Sequence, residues 1–134
     1  MSLPQPSSKG IIQAKKNLEG ISEVTPLKLN QILSDETGAK VYLKREDLQV
    51  VRSYKIRGAY NFISQLSATE KKQGVVCSSA GNHAQGFAYS CQLLKIKGIV
   101  FMPTPTPKQK VEAVKRVGKN YVEIILSGDT YDDA

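Results

Sequence analysis

Residues 75–102 read VVCSSAGNHAQGFAYSCQLLKIKGIVFM, and their pattern decides the fold class. Short apolar runs alternate with a segment whose apolar residues recur at helical spacing, and the same alternation continues to residue 126. The pattern predicts strands at 75–77, 99–102 and 121–126 and helices at 81–94 and 107–117. Strands that alternate with helices at this spacing predict a parallel sheet with right-handed crossovers, and therefore an α/β fold.

Shorter elements are predicted before residue 75. The pattern indicates helices at 8–18, 30–36 and 54–66, a brief strand at 41–43 and a turn at 25–27. Ser53 is a typical N-cap for the helix at 54–66. At the other end, residues 128–134 read GDTYDDA and begin a capped helix that does not continue. This ending favours a truncated chain over a frayed native terminus.

The composition of the 134-residue chain, with 40% hydrophobic and 23% charged residues, excludes fibrous and strongly disordered proteins. No apolar run approaches the ~18 residues of a membrane span, and the first ten residues lack the apolar core of a signal peptide. We therefore expect a cytoplasmic protein without a membrane partner, in which Cys77 and Cys91 are reduced thiols. With one histidine in the chain, we predict no metal site.

The net charge of +7 raises the possibility of a nucleic-acid partner. The basic residues, however, are spread along the chain, and only 7% of the residues are aromatic. A single-strand binder usually places stacking rings among its cations, so we predict no nucleic-acid partner. A non-catalytic basic binding module remains the alternative to an enzyme.

The segment Ser53-Tyr54-Lys55-Ile56-Arg57-Gly58-Ala59 contains the first candidate for chemistry. Lys55 follows a cap residue, so it lies at a helix N-terminus, where the helix dipole favours the neutral amine. Arg52 and Arg57 act in the same direction. A neutral amine attacks carbonyl carbons, which makes Lys55 a candidate nucleophile. The alternative is an exposed lysine in the first turn of a basic helix.

The segment 77–86, CSSAGNHAQG, contains the second candidate, because it follows a strand and opens a helix. Small residues at the carboxyl end of a parallel strand leave backbone N–H groups free to bind anions. Phe87 and Ala88 stand where a Walker loop needs Lys and Ser or Thr, and the spacing does not match a dinucleotide fingerprint. A polar strand-to-helix turn is the alternative.

These two segments, with Leu43-Lys44-Arg45-Glu46-Asp47-Leu48-Gln49 before them, resemble the serine/threonine dehydratase family of fold-type-II pyridoxal-phosphate (PLP) enzymes. The likeness is nearest to the threonine dehydratases and runs from about residue 10 to residue 134. The lysine motif and the asparagine motif occur together, in the family's order and spacing, which makes the resemblance specific.

The resemblance implies a role for each motif residue. Lys55 would form the internal aldimine with PLP and move the α-proton of the substrate. Asn82 would hydrogen-bond the 3′-oxygen of the cofactor, and Tyr54, at a position commonly held by Phe, would pack on the pyridine ring. The Ser79-Ala80-Gly81-Asn82 turn would bind the carboxylate of an amino-acid substrate. No metal is implied.

The implied reaction is the deamination of L-threonine to 2-oxobutanoate and ammonia by β-elimination of water, in isoleucine biosynthesis or threonine catabolism. Serine dehydratase and serine racemase share much of this pattern and remain alternatives. Enzymes of the family are commonly homotetramers, so a homo-oligomer is expected. Five basic residues lie near the site in sequence, and we expect part of the positive charge to serve the anionic cofactor and substrate; they are Lys44, Arg45, Arg52, Lys55 and Arg57.

The implied architecture is a tryptophan-synthase-β-like α/β fold with a parallel three-layer sheet, here incomplete. Residues 1–50 would be the N-terminal part of the large PLP domain. Residues 51–134 would be the small α/β domain, truncated at its C-terminal end. The family's phosphate-binding loop would lie beyond residue 134, so we expect this chain alone to hold PLP weakly or not at all and to lack turnover.

Overall fold

The computed structural model of the chain describes residues 5–130 and residue 133. The helices are α1 (Ser8–Asn17), α2 (Gln31–Thr37), α3 (Lys55–Ser64), α4 (Ala68–Gln73), α5 (Asn82–Leu94) and α6 (Lys108–Gly118). The strands are β1 (Leu27–Leu29), β2 (Tyr42–Lys44), β3 (Val75–Ser78), β4 (Gly98–Met102) and β5 (Val122–Leu126), and single 3₁₀ turns span Glu46–Leu48 and Lys119–Tyr121.

The strands β3, β4 and β5 form a parallel sheet in chain order, joined by α5 and α6. Val75 pairs with Gly98, and Gly98 pairs with Val122, so the three strands are aligned at their amino ends. The predicted α/β unit is therefore confirmed, and its element boundaries differ from the prediction by a residue or so. Tyr121 is one such difference, because it ends a 3₁₀ turn instead of beginning the strand.

The hydrophobic core lies between α5, α6 and one face of this sheet. Ala84 and Ala88 of α5 and Val100 and Met102 of β4 are fully buried there. The small side chains of α5 let the helix lie close to the strands. Gly98 marks the tightest approach: a Cβ at this position would lie 2.7 Å from the sulfur of Cys91 and 2.9 Å from the ring of Phe87, both on α5.

The opposite face of the sheet carries apolar side chains that the described residues leave uncovered or half-covered. Val76 is 67% exposed, and Ile99, Phe101 and Ile125 are half-buried. The chain exposes 9353 Å² in total, whereas a compact monomer of 14.7 kDa exposes about 6,900 Å². The incomplete α/β fold that we expected is confirmed, and a third layer over this face is not among residues 5–130.

The N-terminal region forms a second, separate sheet, in which β1 and β2 pair antiparallel. The helix α2 connects them: the Asn30 side chain accepts a hydrogen bond from the backbone N–H of Leu33, and the helix ends at Gly38 in the left-handed conformation, with φ +67°. The sequence predicted β2 and α2 but only a turn where β1 begins. Both strands are exposed along their length, so no alternating burial pattern reveals β1.

Two helices before the parallel sheet differ from the prediction. The cap position of α3 is Tyr54, not Ser53, and it makes no side-chain cap. Ser53 Oγ instead accepts a long hydrogen bond of 3.4 Å from the backbone N–H of Lys55. The helix α4 was not predicted, although its capping box, in which Ser67 and Glu70 bond each other's backbone N–H groups, is visible in the sequence.

The helix predicted at 128–134 falls partly on residues 131, 132 and 134, which lie outside the described residues. The backbone N–H and the hydroxyl of Thr130 both donate to the carboxylate of Asp133, at 3.1 and 2.7 Å. This is the contact that an acid three residues after an N-cap makes. Among the described helices the longest, α5, has 13 residues, and none is long and apolar enough to cross a membrane.

The contact of α5 with β4 predicts the effect of a methyl group at residue 98. Gly98→Ala should lower the free energy of unfolding by about 1–3 kcal/mol, because the buried Cys91 and Phe87 side chains must move. Gly58→Ala is the matched control: a Cβ there meets nothing within 4 Å, so this helical position should gain about 0.5–1 kcal/mol. Urea denaturation of both variants tests the packing, and equal effects of the two substitutions would contradict it.

Candidate functional site

A close backbone contact between α3 and α5 brings the two sequence motifs together. A Cβ on Gly86 would lie 3.0 Å from the carbonyl carbon of Lys55 and 3.1 Å from the nitrogen of Ile56. Glycine therefore lets α5 rest directly on the start of α3. Asn82 precedes Gly86 by four residues and lies on the same face of α5. The lysine and the asparagine that the sequence singled out thus belong to helix turns on neighbouring helices.

Lys55 is the first residue of α3 and is half-buried. Its ammonium nitrogen lies 5.2 Å from the centroid of the Tyr54 ring, which is within cation–π distance. Tyr54 itself is 59% exposed. Its phenol therefore faces water, and its ring offers a planar apolar surface beside the lysine amine.

Hydrogen bonds fix the start of the turn between β3 and α5, whereas its end at Gly81 and Asn82 is uncovered. The backbone N–H of Ser79 donates to the carbonyl of Phe101 at 3.0 Å, and Ser79 Oγ accepts from the N–H of Gly81 at 3.3 Å. Gly81 occupies the cap position of α5, where no side chain of the described residues caps the helix. A Cβ on Gly81 would meet nothing within 4 Å, and Asn82 is exposed. The first-turn N–H groups of α5 are thus available to an anion.

Arg57, one half-turn after Lys55, is held in a polar network. Its guanidinium bonds both carboxylate oxygens of Glu46 at 2.8 Å. Glu46 also accepts hydrogen bonds from the hydroxyl of Thr25 at 2.5 Å and the amide of Gln49 at 3.3 Å. Hydrogen bonding from Arg57 is the main reason that the pKa of Glu46 falls from 4.5 to about 2, against the opposing effect of burial.

This network bears on the expectation that part of the positive charge near the site serves an anionic ligand. Arg57 is neutralised by Glu46, and Arg45 pairs with Asp47 through two hydrogen bonds of 2.8 and 2.7 Å. The ammonium of Lys44 donates to the backbone carbonyl of Thr25. Nearby acceptors of the chain itself therefore engage the charges of these three residues.

The remaining candidate nucleophiles are the two thiols, and both are free cysteines. Burial raises the pKa of Cys77 and of Cys91 to about 12, so neither supplies a thiolate near neutral pH. Residues 5–130 contain no group of three or more His, Cys, Asp or Glu side chains that could hold a metal ion.

An apolar cleft of about 390 Å³ lies between α3, α4 and β3, and His83 and Phe87 of α5 also line it. Neither Lys55 nor the turn at 79–82 lines this cleft.

The comparisons with known proteins agree with this geometry. The profile of a family described as pyridoxal-phosphate dependent enzyme matches residues 19–134. The chain therefore belongs to that family, and the resemblance to the serine/threonine dehydratases is confirmed. It is 59% identical over 124 residues to the biosynthetic L-threonine dehydratase of Halalkalibacterium halodurans and 54% identical over 125 residues to that of Bacillus subtilis. The alignments cover 92% and 93% of this chain and 30% of each relative.

Solved structures show the same likeness. Threonine deaminase isoform 2 of Solanum lycopersicum, in its processed form, matches with a TM-score of 0.81 and 39% identity over 98% of this chain and 37% of its own. Maize serine racemase matches with a TM-score of 0.86 and 31% identity over 93% of this chain and 37% of its own. The chain thus spans about a third of the length of the proteins that it matches.

Two residues that shape this site received no role from the sequence. Gly86 is a glycine inside a helical pattern, which indicates either a weak helix or a close backbone approach. Glu46 is an acid within a basic run, and the pattern does not say which cation it pairs with. Both residues lie in the quoted motifs, but the sequence does not show that Gly86 contacts α3 or that Glu46 pairs with Arg57.

The lowered pKa of Glu46 predicts how stability depends on pH. Its ionised form is stabilised by the fold, so this stability is complete above pH 4.5 and is lost as the pH falls toward 2. Glu46→Gln should lower the free energy of unfolding at pH 7 by about 3 kcal/mol. The difference from the wild type should shrink steadily as the pH falls through this range.

Urea denaturation across this pH range measures the difference. Asp47→Asn is the matched control, because the Arg45–Asp47 pair is exposed and joins residues only two apart in one segment. Asp47→Asn should leave stability nearly unchanged at every pH. A Glu46→Gln deficit that persists at pH 2 would contradict the electrostatic origin of the effect.

Proposed function

We propose that this chain supplies the lysine, the ring-contacting residues and the carboxylate-binding turn of a PLP-dependent enzyme that deaminates L-threonine to 2-oxobutanoate and ammonia. The observation that carries the proposal is the contact of Gly86 with the start of α3, which juxtaposes the Lys55 and Asn82 helix turns. The names of the relatives, L-threonine dehydratase and threonine deaminase, support the substrate.

The side chains of the site fit PLP in their chemistry. Lys55 offers a primary amine that can hold an aldehyde, and the exposed ring of Tyr54 beside it offers a face for a pyridine. Asn82 offers an amide that can hydrogen-bond a ring oxygen. The uncapped N-terminus of α5 offers N–H groups to a carboxylate.

In the proposed mechanism, bound PLP supplies an electron sink that makes the α-proton of the amino acid acidic. The amine of Lys55 takes that proton as a general base. The Ser79–Asn82 turn holds the substrate carboxylate with the hydroxyl of Ser79 and backbone N–H groups, which fixes the α-carbon relative to Lys55. The β-hydroxyl takes up a proton and leaves as water; the released enamine tautomerises to an imine, and hydrolysis of this imine gives 2-oxobutanoate and ammonia.

We also propose a pathway, a location and an assembly for this enzyme. The word biosynthetic in the relatives' names favours isoleucine biosynthesis over threonine catabolism, and a cytoplasmic location accords with such a role. The separate β1–β2 sheet supports a division in which residues 1–50 belong to a large PLP domain and residues 51–134 to a small one. The uncovered apolar face of the parallel sheet needs a covering partner, and a homo-oligomer is proposed for the assembled enzyme.

Serine racemization is a second candidate, favoured by the TM-score of 0.86 with maize serine racemase. The two reactions share abstraction of the α-proton and differ in whether a β-substituent leaves. The product therefore distinguishes them: 2-oxobutanoate from L-threonine, or D-serine from L-serine.

The reaction is tested by placing this chain in a relative. The chain should replace the matching segment of the H. halodurans enzyme, to which it is 59% identical, with retention of threonine deamination. Lys55→Ala in the chimera should lower kcat by about 10²–10⁴-fold, the contribution of a positioned general base. Lys115→Ala, on the exposed side of α6, is the matched control and should retain wild-type kcat.

Production of 2-oxobutanoate by coupled assay is the measurement. Formation of D-serine without 2-oxobutanoate would favour the racemase, and a folded chimera with neither product would refute both reactions. Salt-sensitive retention of the chain on DNA, unchanged by Lys55→Ala, would instead support a basic binding module.

Capture of PLP by the chain itself is a separate test. Binding is expected to be weak, so borohydride reduction is used to fix the phosphopyridoxyl group before peptide mapping. Lys55 should be modified in preference to the other lysines, and Asn82→Ala should lower this preference. Modification of all exposed lysines to the same extent in the chain and in the chimera alike would refute the assignment of Lys55.

A further inference from the structure

The start of α3 has no side-chain cap, and Arg57 holds it from one side. Besides its two bonds to Glu46, the Arg57 guanidinium donates to the hydroxyl of Ser22 at 3.0 Å and to the carbonyl of Glu23 at 3.0 Å. A guanidinium bound by a carboxylate fork and two further acceptors has little freedom to rotate. Arg57, the third residue of α3, is therefore fixed to the segment that precedes β1.

The Glu46 side chain, which accepts two of these hydrogen bonds, is constrained as well. The Glu46 side chain is 15% exposed, and its neighbour Gln49 is 2% exposed. Gln49 bonds both backbone groups of Glu23, accepting at 3.0 Å and donating at 2.8 Å. The segments 22–25 and 46–49 thus form one polar block, and Arg57 ties α3 to that block.

Lys55 shares the first turn of α3 with Arg57, and its backbone contacts α5 at Gly86. Its carbonyl group contacts the position of Gly86, while the N–H of Arg57 bonds the carbonyl of Tyr54 at 3.0 Å and closes the first turn. Residues 55 and 57 are two apart on the helix, so their side chains point in different directions. Arg57 can therefore face the block while Lys55 remains available to a ligand.

We propose that the Glu46–Arg57 ion pair positions the Lys55 amine for its reaction with the cofactor by holding the uncapped first turn of α3 against α5. Both are positioning residues, because neither is placed against cofactor or substrate. The inference rests on the proposed function, since it assigns these residues to the chemistry of Lys55. The neighbouring Arg45–Asp47 pair is the natural comparison, because it has the same fork geometry but joins no second element.

The test measures selectivity within one molecule. The 134-residue chain is treated with PLP and borohydride, and the modification of Lys55 is divided by that of Lys110, which is exposed on α6. Glu46→Gln should lower this ratio by about fivefold, and adding Arg57→Gln should lower it no further, because the two residues act as one unit. Asp47→Asn should change the ratio by less than about twofold.

A purely structural role is separated by restoring stability. Sucrose raises the unfolding free energy of a destabilised variant without rebuilding the ion pair. The ratio of Glu46→Gln should stay low in sucrose, at a concentration where circular dichroism shows the folded state. Recovery of the wild-type ratio there would overturn the positioning role.

Failure of this inference and failure of the proposed function give different results. A lack of preference for Lys55 in both the wild-type chain and the chimera would refute the proposed function, and a preference seen in the chimera alone moves the ratio measurement to the chimera. A wild-type preference that Glu46→Gln retains would refute the positioning role alone. Should Glu46→Gln not fold, Arg57→Lys keeps the charge but loses the fork; it should lower the ratio, and a wild-type ratio would overturn the inference.

Discussion

The close approach of α5 to the start of α3 is the constraint on which the rest of the structure depends. One side of α5 packs on the parallel sheet through Ala84, Phe87, Ala88 and Cys91, and another side rests on α3 at Gly86. An alanine at 86 would require the backbone at the start of α3 to move by a few tenths of an ångström, and a larger side chain by more. The geometry of Lys55 and Asn82 follows from this single contact, since each lies within about a turn of it.

Several basic residues of this chain make structural contacts that its net charge does not reveal. The excess of lysine and arginine suggested a patch for anions, yet the acceptors nearest to Arg57, Arg45 and Lys44 come from the chain itself. The Glu46–Arg57 pair and the Lys44–Thr25 bond join segments that are distant in the chain, whereas Arg45 pairs with Asp47 in its own segment. The proposed carboxylate site uses uncharged groups instead, the N–H groups at the start of α5.

The surface of the chain explains why its function is proposed for a larger assembly. The uncovered face of the parallel sheet and the exposed strands β1 and β2 give the chain a much larger accessible surface than a compact monomer of this mass has. The matched relatives are about three times as long. The proposed site on this chain therefore forms one side of a binding pocket and contributes an amine, an aromatic face, an amide and a helix N-terminus.

The sequence by itself determined the order of the α/β elements, the apolar side of α5 and the family, because helical and strand periodicities are local and the two motifs are specific. Only the tertiary structure decided the pairing of β1 with β2, the partner of Arg57 and the role of Gly86. These depend on contacts between residues far apart in the chain, such as Leu27 with Lys44 and Glu46 with Arg57. Local propensity carries no information about such contacts, because they form only when packing brings the segments together.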